Sequence, residues 1–171
     1  GYNNVEIPTS VKSSLTIKGD VDRSNKLENI IAEQLVGQGF REILNNSLTK
    51  EGYYEGLETY APAELVRVLN PLSSDLNVMR QTLLFGGLES IAHNVNRKSK
   101  NLRFFETGNC YYYNSKKHTA DHSLNAYSQA HFIGLWLTGN HIEGSWAHAN
   151  EATSVYQLKA YVMNILVRLG Y

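Results

Sequence analysis

Glu106 follows two phenylalanines, Phe104 and Phe105, in a stretch that reads as a buried strand. A carboxylate in that position needs a cationic partner, and Arg80 or Arg97 could supply one. With a raised pKa it could instead act as a general acid. No second carboxylate or base stands at a suggestive spacing, so the expected role is an ion pair holding the sheet to a helix. Cys110 is the single cysteine and opens the apolar, aromatic run that ends at Tyr113. Such surroundings disfavour a thiolate, so a buried structural thiol is expected rather than a nucleophile. His118 and His122, with Asp121 between them, have the i, i+4 spacing that could hold a metal on a helix. They sit in a polar loop beside Lys116 and Lys117 without further ligands nearby, and no metal site is expected there. His131 falls in a strand and reads as a core or interface residue. His141 and His148 flank a loop with Trp146 and have no acid partner at a telling spacing. Arg97, Lys98 and Lys100 could form a phosphate patch, but they follow a helix end, where cations oppose the negative C-terminus. Gly86-Gly87 lacks the Lys and Ser/Thr of a phosphate-gripping loop. No Gly-x-Ser-x-Gly elbow occurs.

Composition narrows the classes further. The 171 residues are 42% hydrophobic and 19% charged, which excludes a disordered chain and a coiled coil. Sixteen Lys and Arg balance sixteen Asp and Glu, which argues against a dedicated nucleic-acid binder. One cysteine excludes an internal disulfide framework and suits a reducing compartment. No apolar run reaches the ~18 residues of a membrane span, and the first twenty residues lack a signal peptide's pattern. A cytoplasmic domain is the expectation. Eleven tyrosines suit either protein contacts or ordinary sheet composition.

The elements that must position these residues follow from periodicity. Residues 1–23, rich in Asn, Ser and Gly, read as a tail from a preceding domain, and 24–171 as one core domain, C-terminally incomplete. A first helix is predicted from about Asn25, with Asn25 and Glu28 at capping-box spacing and Leu27, Ile30, Ile31 and Leu35 on one face. Gly37 and Gly39 can stop it. Phe40 to Leu48 reads as a strand in which Asn45 and Asn46 are oddly polar, and Leu65 to Leu69 as another, closed by Asn70-Pro71. A second helix spans Leu83 to Asn96, with Leu84, Leu88, Ile91 and Val95 on one face. Leu102 to Thr107, Asn109 to Tyr113 and Gln129 to Thr138 read as strands, and a bulge at Gly108 would make the first two one bent strand. Asn114 to Ser128 is a polar loop. A last helix runs from about Ser154 to Leu169. The order favours an α+β fold, an antiparallel sheet with helices on one face.

The same stretches resemble a known family. Leu69-Asn70-Pro71-Leu72-Ser73, Met79-Arg80-Gln81-Thr82-Leu83-Leu84, Gly87-Leu88, Asn94-Val95-Asn96-Arg97 and Phe105-Glu106-Thr107-Gly108 are similar to N-P-L-S, L-R-x-S-L-L-x-G-L-L, N-x-N-R and F-E-x-G of the bacterial phenylalanyl-tRNA synthetase β subunit. Leu35-Val36-Gly37-Gln38-Gly39-Phe40-Arg41-Glu42 resembles its L-x-x-x-G-F-x-E segment. Leu137-Thr138-Gly139, Ser145-Trp146 and Tyr156-Gln157-Leu158-Lys159 resemble later blocks. Met79 and Gln81 depart from the commoner Leu and Thr.

The resemblance implies a fold similar to the class II aminoacyl-tRNA synthetase catalytic domain, without the chemistry. It implies structural or interface roles for Asn70, Pro71, Arg80, Asn94, Arg97, Glu106 and Gly108, and no catalytic, cofactor or metal residues in this chain. Catalytic α subunits carry a strand resembling G-R-V-Y-R, whose last Arg contacts the nucleotide phosphate. Here Gly108-Asn109-Cys110-Tyr111-Tyr112 puts Tyr112 at that place, with no fixed charge for a pentacovalent phosphorus. Their next strand resembles F-H-Q-V-E-G-L. Here Ala130-His131-Phe132-Ile133-Gly134-Leu135 lacks the Gln and Glu, so His131 and Ile133 join Tyr112 as degenerate positions. The chain reaches Tyr171 before the third class II signature would begin, and the family's magnesium carboxylates lie upstream of Gly1. The whole enzyme implied is an (αβ)2 heterotetramer that charges tRNA with phenylalanine using ATP and Mg2+, with no membrane partner. An active class II-type ATP-dependent ligase and a free-standing interaction module are the alternatives.

Overall fold

The computed structural model describes residues 4, 10, 19–119 and 123–171. Its frame is one long hairpin, β4 (Arg103–Tyr113) and β5 (Tyr127–Leu137), paired antiparallel from Arg103↔Leu137 to Tyr113↔Tyr127. The two strands predicted around Gly108 are therefore one. Gly108 faces Phe132 in unbroken register, so it marks no bulge. Its lack of a side chain answers to Arg80, because a Cβ at Gly108 would stand 2.2 Å from Arg80 Nη2.

Alternation along the hairpin makes two cores. On one face Phe104, Cys110 and Trp136 pack with Leu83 and Leu102, and Ile91 of α2 (Leu84–Val95) closes over them. On the other face Phe105 packs with Leu35 of α1 (Asp20–Gly37) and Ile165 of α3 (Val155–Arg168), joined by half-buried Ile133, Leu135 and Leu137. Helices thus cover both faces of the sheet rather than one. The third strand, β1 (Arg41–Glu42), joins β4 in parallel, Arg41↔Phe104 and Glu42↔Phe105, so the sheet is mixed.

The helix ends explain themselves locally. α1 starts at Asp20, ahead of the predicted Asn25, because Gly19 N–H donates to Asp22 Oδ2 at 2.8 Å and Asp20 and Asp22 suit the positive end of the helix. Residues 20–23, assigned to the tail by sequence, are helical; most of that tail lies outside the described residues. Ser154 caps α3, accepting from Gln157 N–H while Gln157 Oε1 accepts from Ser154 N–H. Both predicted later helices are found within a residue or two of their expected ends.

The strand predicted over Phe40 to Leu48 is largely absent. Ile43 N–H still donates to the Phe105 carbonyl at 2.8 Å. Asn45 N–H then donates to Glu106 Oε1 at 3.3 Å, so a side-chain carboxylate replaces the ladder and the chain leaves the sheet. Leu65 to Leu69 forms no strand; a lone bridge, Arg67↔Val78, remains. Two small pairs appear instead: β2 (Leu48–Thr49) with β3 (Val78–Met79), and β6 (Asn140–Ile142) with β7 (Glu151–Ala152). Tyr54, Leu65 and Val78 make a third, smaller core beside Phe85.

Candidate functional site

Arg80 and Glu106 sit at the centre of the α2-side face, held by β4 and by the segment that follows β3. Glu106 is fully buried and Arg80 nearly so, and Arg80 Nη1 lies 2.5 Å from Glu106 Oε1. The second carboxylate oxygen accepts from Asn45 Nδ2 at 2.6 Å. Arg80 Nε donates to the Asn109 carbonyl at 3.0 Å, and Nη1 also reaches the Asn45 carbonyl at 3.4 Å. Both charges are thus opposed and hydrogen-bonded, the condition under which a buried pair is tolerated. Of the two arginines the sequence offered, Arg80 is the partner. Arg97 instead donates to the His93 carbonyl at 3.1 Å, and Asn94 Nδ2 to the Ser90 carbonyl at 2.8 Å, so both serve the C-terminal end of α2.

Beside this pair the same sheet face opens into a cleft of about 330 Å³. Tyr112 lies in it, and its hydroxyl donates to the Gln81 carbonyl at 3.1 Å. Cross-strand partners share a face, and Tyr112 lies opposite Ser128, so Phe132, Gly134 and Trp136 share its side. By alternation His131 and Ile133 belong to the opposite side; Ile133 still borders the cleft that holds Tyr112, whereas His131 does not line it. Ile133 packs its side chain on the α1–α3 core. His131 is exposed, with Nδ1 2.8 Å from Asn109 Oδ1 and Nε2 3.2 Å from Glu28 of α1.

The cleft's chemistry is neutral. Among the described residues its lining carries no charged side chain. Burial pushes the Cys110 thiol above its ordinary range, with Arg80 pulling the other way and Glu106 adding to the rise. Burial likewise raises the Tyr112 phenol. Neither group is poised as a base or nucleophile at neutral pH. Among the described residues no three His, Cys, Asp or Glu gather to hold a metal, and Asp121 and His122 lie outside them.

Asn70 and Pro71 stand apart from this centre in an exposed loop, with Leu69 and Leu72 92% and 95% exposed. Sequence reasoning missed Asn45 and Gln81 as parts of the site. The signal for Asn45 was a polar residue in an apolar strand. For Gln81 it was the departure beside Arg80.

Comparison with known proteins places this arrangement. Residues 7–171 match the family model described as the phenylalanyl tRNA synthetase beta chain CLM domain. The chain is 65% identical over 170 residues to the phenylalanine–tRNA ligase beta subunit of Bacteroides fragilis, covering 99% of this chain and 21% of that protein. It is 48% identical, at the same coverages, to the corresponding subunit of Porphyromonas gingivalis. The chain thus spans about a fifth of the length of these relatives. Among solved structures it resembles an ATP phosphoribosyltransferase regulatory subunit/histidyl-tRNA synthetase of Bacillus halodurans, with TM-score 0.58, 15% identity, and 97% of this chain and 40% of that one covered. It also resembles a pyrrolysyl-tRNA synthetase of Desulfitobacterium hafniense, with TM-score 0.54, 19% identity, and coverages of 86% and 45%. At these identities the likeness speaks for the fold, which is that of class II synthetases. With the family match running from residue 7 to the last residue, the chain belongs to the phenylalanyl-tRNA synthetase β-chain family, as its CLM domain.

Proposed function

We propose that this domain is the non-catalytic core of a phenylalanine–tRNA ligase β subunit and that it scaffolds a catalytic α subunit. The whole enzyme would be a cytoplasmic (αβ)2 heterotetramer that uses ATP and Mg2+ to activate phenylalanine and then esterifies tRNA. ATP and magnesium would be held outside this chain.

The uncharged cleft around Tyr112 is the observation that carries the reading. A triphosphate entering it would shed its hydration with no cation to receive it. Arg80, the nearest buried cation on that face, is already committed to Glu106. The scaffold role draws support from the apolar stripe of α2, of which Leu84, Leu88 and Val95 remain substantially exposed, and from Leu44, almost fully exposed nearby in sequence to β1. Apolar side chains so placed suit contact with another chain.

The test is phenylalanine-dependent ATP–pyrophosphate exchange. The purified β subunit alone is expected to show none, and the co-expressed α–β enzyme to show it. Tyr112→Phe in the complex should leave the rate within about twofold of the native value, equivalent to less than about 0.5 kcal/mol. Exchange by the β subunit alone would overturn the reading in favour of an active ligase. Failure to co-purify with an α subunit would favour a free-standing module.

A further inference from the structure

The chain's charges balance overall but not locally. From Ser90 to Phe105 there are four cations, Arg97, Lys98, Lys100 and Arg103, and no carboxylate. Elsewhere Lys50, Arg67 and Arg80 meet Asp75, Glu51 and Glu106 in turn. The four cations meet no carboxylate among the described residues. Arg103 Nη1 donates to the Gln38 carbonyl at 3.0 Å and Nη2 to the His141 carbonyl at 3.2 Å, which leaves its charge uncompensated. Lys98 is exposed and takes a φ of 67° where it closes α2, its N–H on the Val95 carbonyl and that of Ser99 on the Asn94 carbonyl. Glycine is the usual residue at such a helix stop, so a lysine stands there against its backbone preference. The negative helix end attracts cations only within its last turn, and Lys100 and Arg103 lie past it.

Asn101 ties a second feature to this stretch. Its Oδ1 accepts from Asn140 N–H at 2.8 Å, and its Nδ2 donates to Glu143, which opens the loop between β6 and β7. That loop is pinned: Gly144 N–H donates to Asn150 Oδ1 at 2.5 Å and Ser145 N–H to the His148 carbonyl at 2.9 Å. At its tip Trp146 is 100% exposed. From Glu143 to Asn150 there is no second large apolar side chain. A lone ring makes a poor protein anchor, because nothing around it excludes water. It makes a complete platform for a nucleic-acid base, whose face needs one ring to stack on. Uncompensated cations beside it suit the phosphates that join such bases.

We propose that this corner is an RNA contact, with the Trp146 indole stacked on an unpaired base and Lys98 and Lys100 on the neighbouring phosphates. It rests on the reading above, since the RNA would be the tRNA that the assembled enzyme esterifies.

The test uses the intact α–β enzyme and a transcript of its phenylalanine tRNA, with affinity read by fluorescence anisotropy across a salt series. Lys98→Gly combined with Lys100→Gln is expected to weaken binding about tenfold and to lower the slope of log affinity against log salt by about 1–2. Glycine suits the backbone at position 98, so the melting temperature should not fall, as it would if the lysines served only the helix end. Trp146→Ala is expected to weaken binding about tenfold with the salt slope unchanged, and Trp146→Phe to keep most of the affinity. Recovery of the α subunit in pull-down should stay unchanged throughout. Undiminished tRNA affinity in the variants would overturn the proposal. So would a drop in α recovery with Trp146→Ala, which would make the loop a protein contact. Absence of pyrophosphate exchange from the native complex would instead overturn the scaffold reading. Exchange by that complex together with undiminished tRNA binding in the variants would overturn this proposal alone.

Discussion

Arg80 sends its guanidinium in three directions at once: to the Glu106 carboxylate, to the Asn45 carbonyl and to the Asn109 carbonyl. Removing it strands a carboxylate that has no access to water. Arg80→Met in the intact β subunit is expected to cost about 3–5 kcal/mol in denaturant unfolding. Adding Glu106→Leu should return much of that loss, because the stranded charge is gone. Cys110, in the same face, predicts a pH effect. Burial holds its thiol, and the phenols of Tyr54 and Tyr112, above their ordinary ranges. The unfolded chain therefore gives up these protons more readily than the folded one. Their stabilising contribution is complete below the unfolded thiol value, near 9, and is lost as pH climbs through the raised folded value. Melting temperature should fall from about pH 9 upward, and Cys110→Ala should flatten the first part of that fall.

At the scale of elements, α2 lies against β5 because Gly87 leaves room for the Trp136 ring. A Cβ at Gly87 would stand 2.0 Å from Trp136 Cε2. Gly87→Ala is thus expected to destabilise by about 1–3 kcal/mol in thermal unfolding, despite alanine's better helix propensity. Combining it with Trp136→Leu should recover part of the loss. The α2 and α3 helices and the β5 strand were legible in the sequence because their apolar spacing runs for ten residues or more. β2, β3 and β7 have two residues each and carry no period to read. The chain's departure after Ile43 was illegible for another reason: Glu106, sixty-one positions away, takes the Asn45 N–H. The site was half legible on the same grounds. A buried carboxylate announces its need for a cation, but the choice of Arg80 over Arg97 depends on which segment crosses Gly108. The stripe Leu84, Leu88, Ile91 and Val95 was legible as a face, yet Ile91 alone of the four packs on the sheet core.

For the molecule as a whole, that unspent face is the place to look for assembly. Leu88, 47% exposed, can accept a charge without disturbing the core beneath. Leu88→Glu is expected to leave the melting temperature of the β subunit within a few degrees and to weaken recovery of the α subunit at least tenfold in pull-down, a loss of about 1.4 kcal/mol or more. Unchanged recovery would move the interface elsewhere, to the exposed Leu69–Leu72 loop first. The parallel union of β1 with β4 has its own consequence during synthesis. Arg41 must wait for Phe104, about sixty residues later, which at ~5–20 residues per second is several seconds on the ribosome. Until the hairpin emerges, the Leu35 side of α1 has nothing to rest on, and the nascent chain offers a sticky stripe to any chaperone near the exit tunnel.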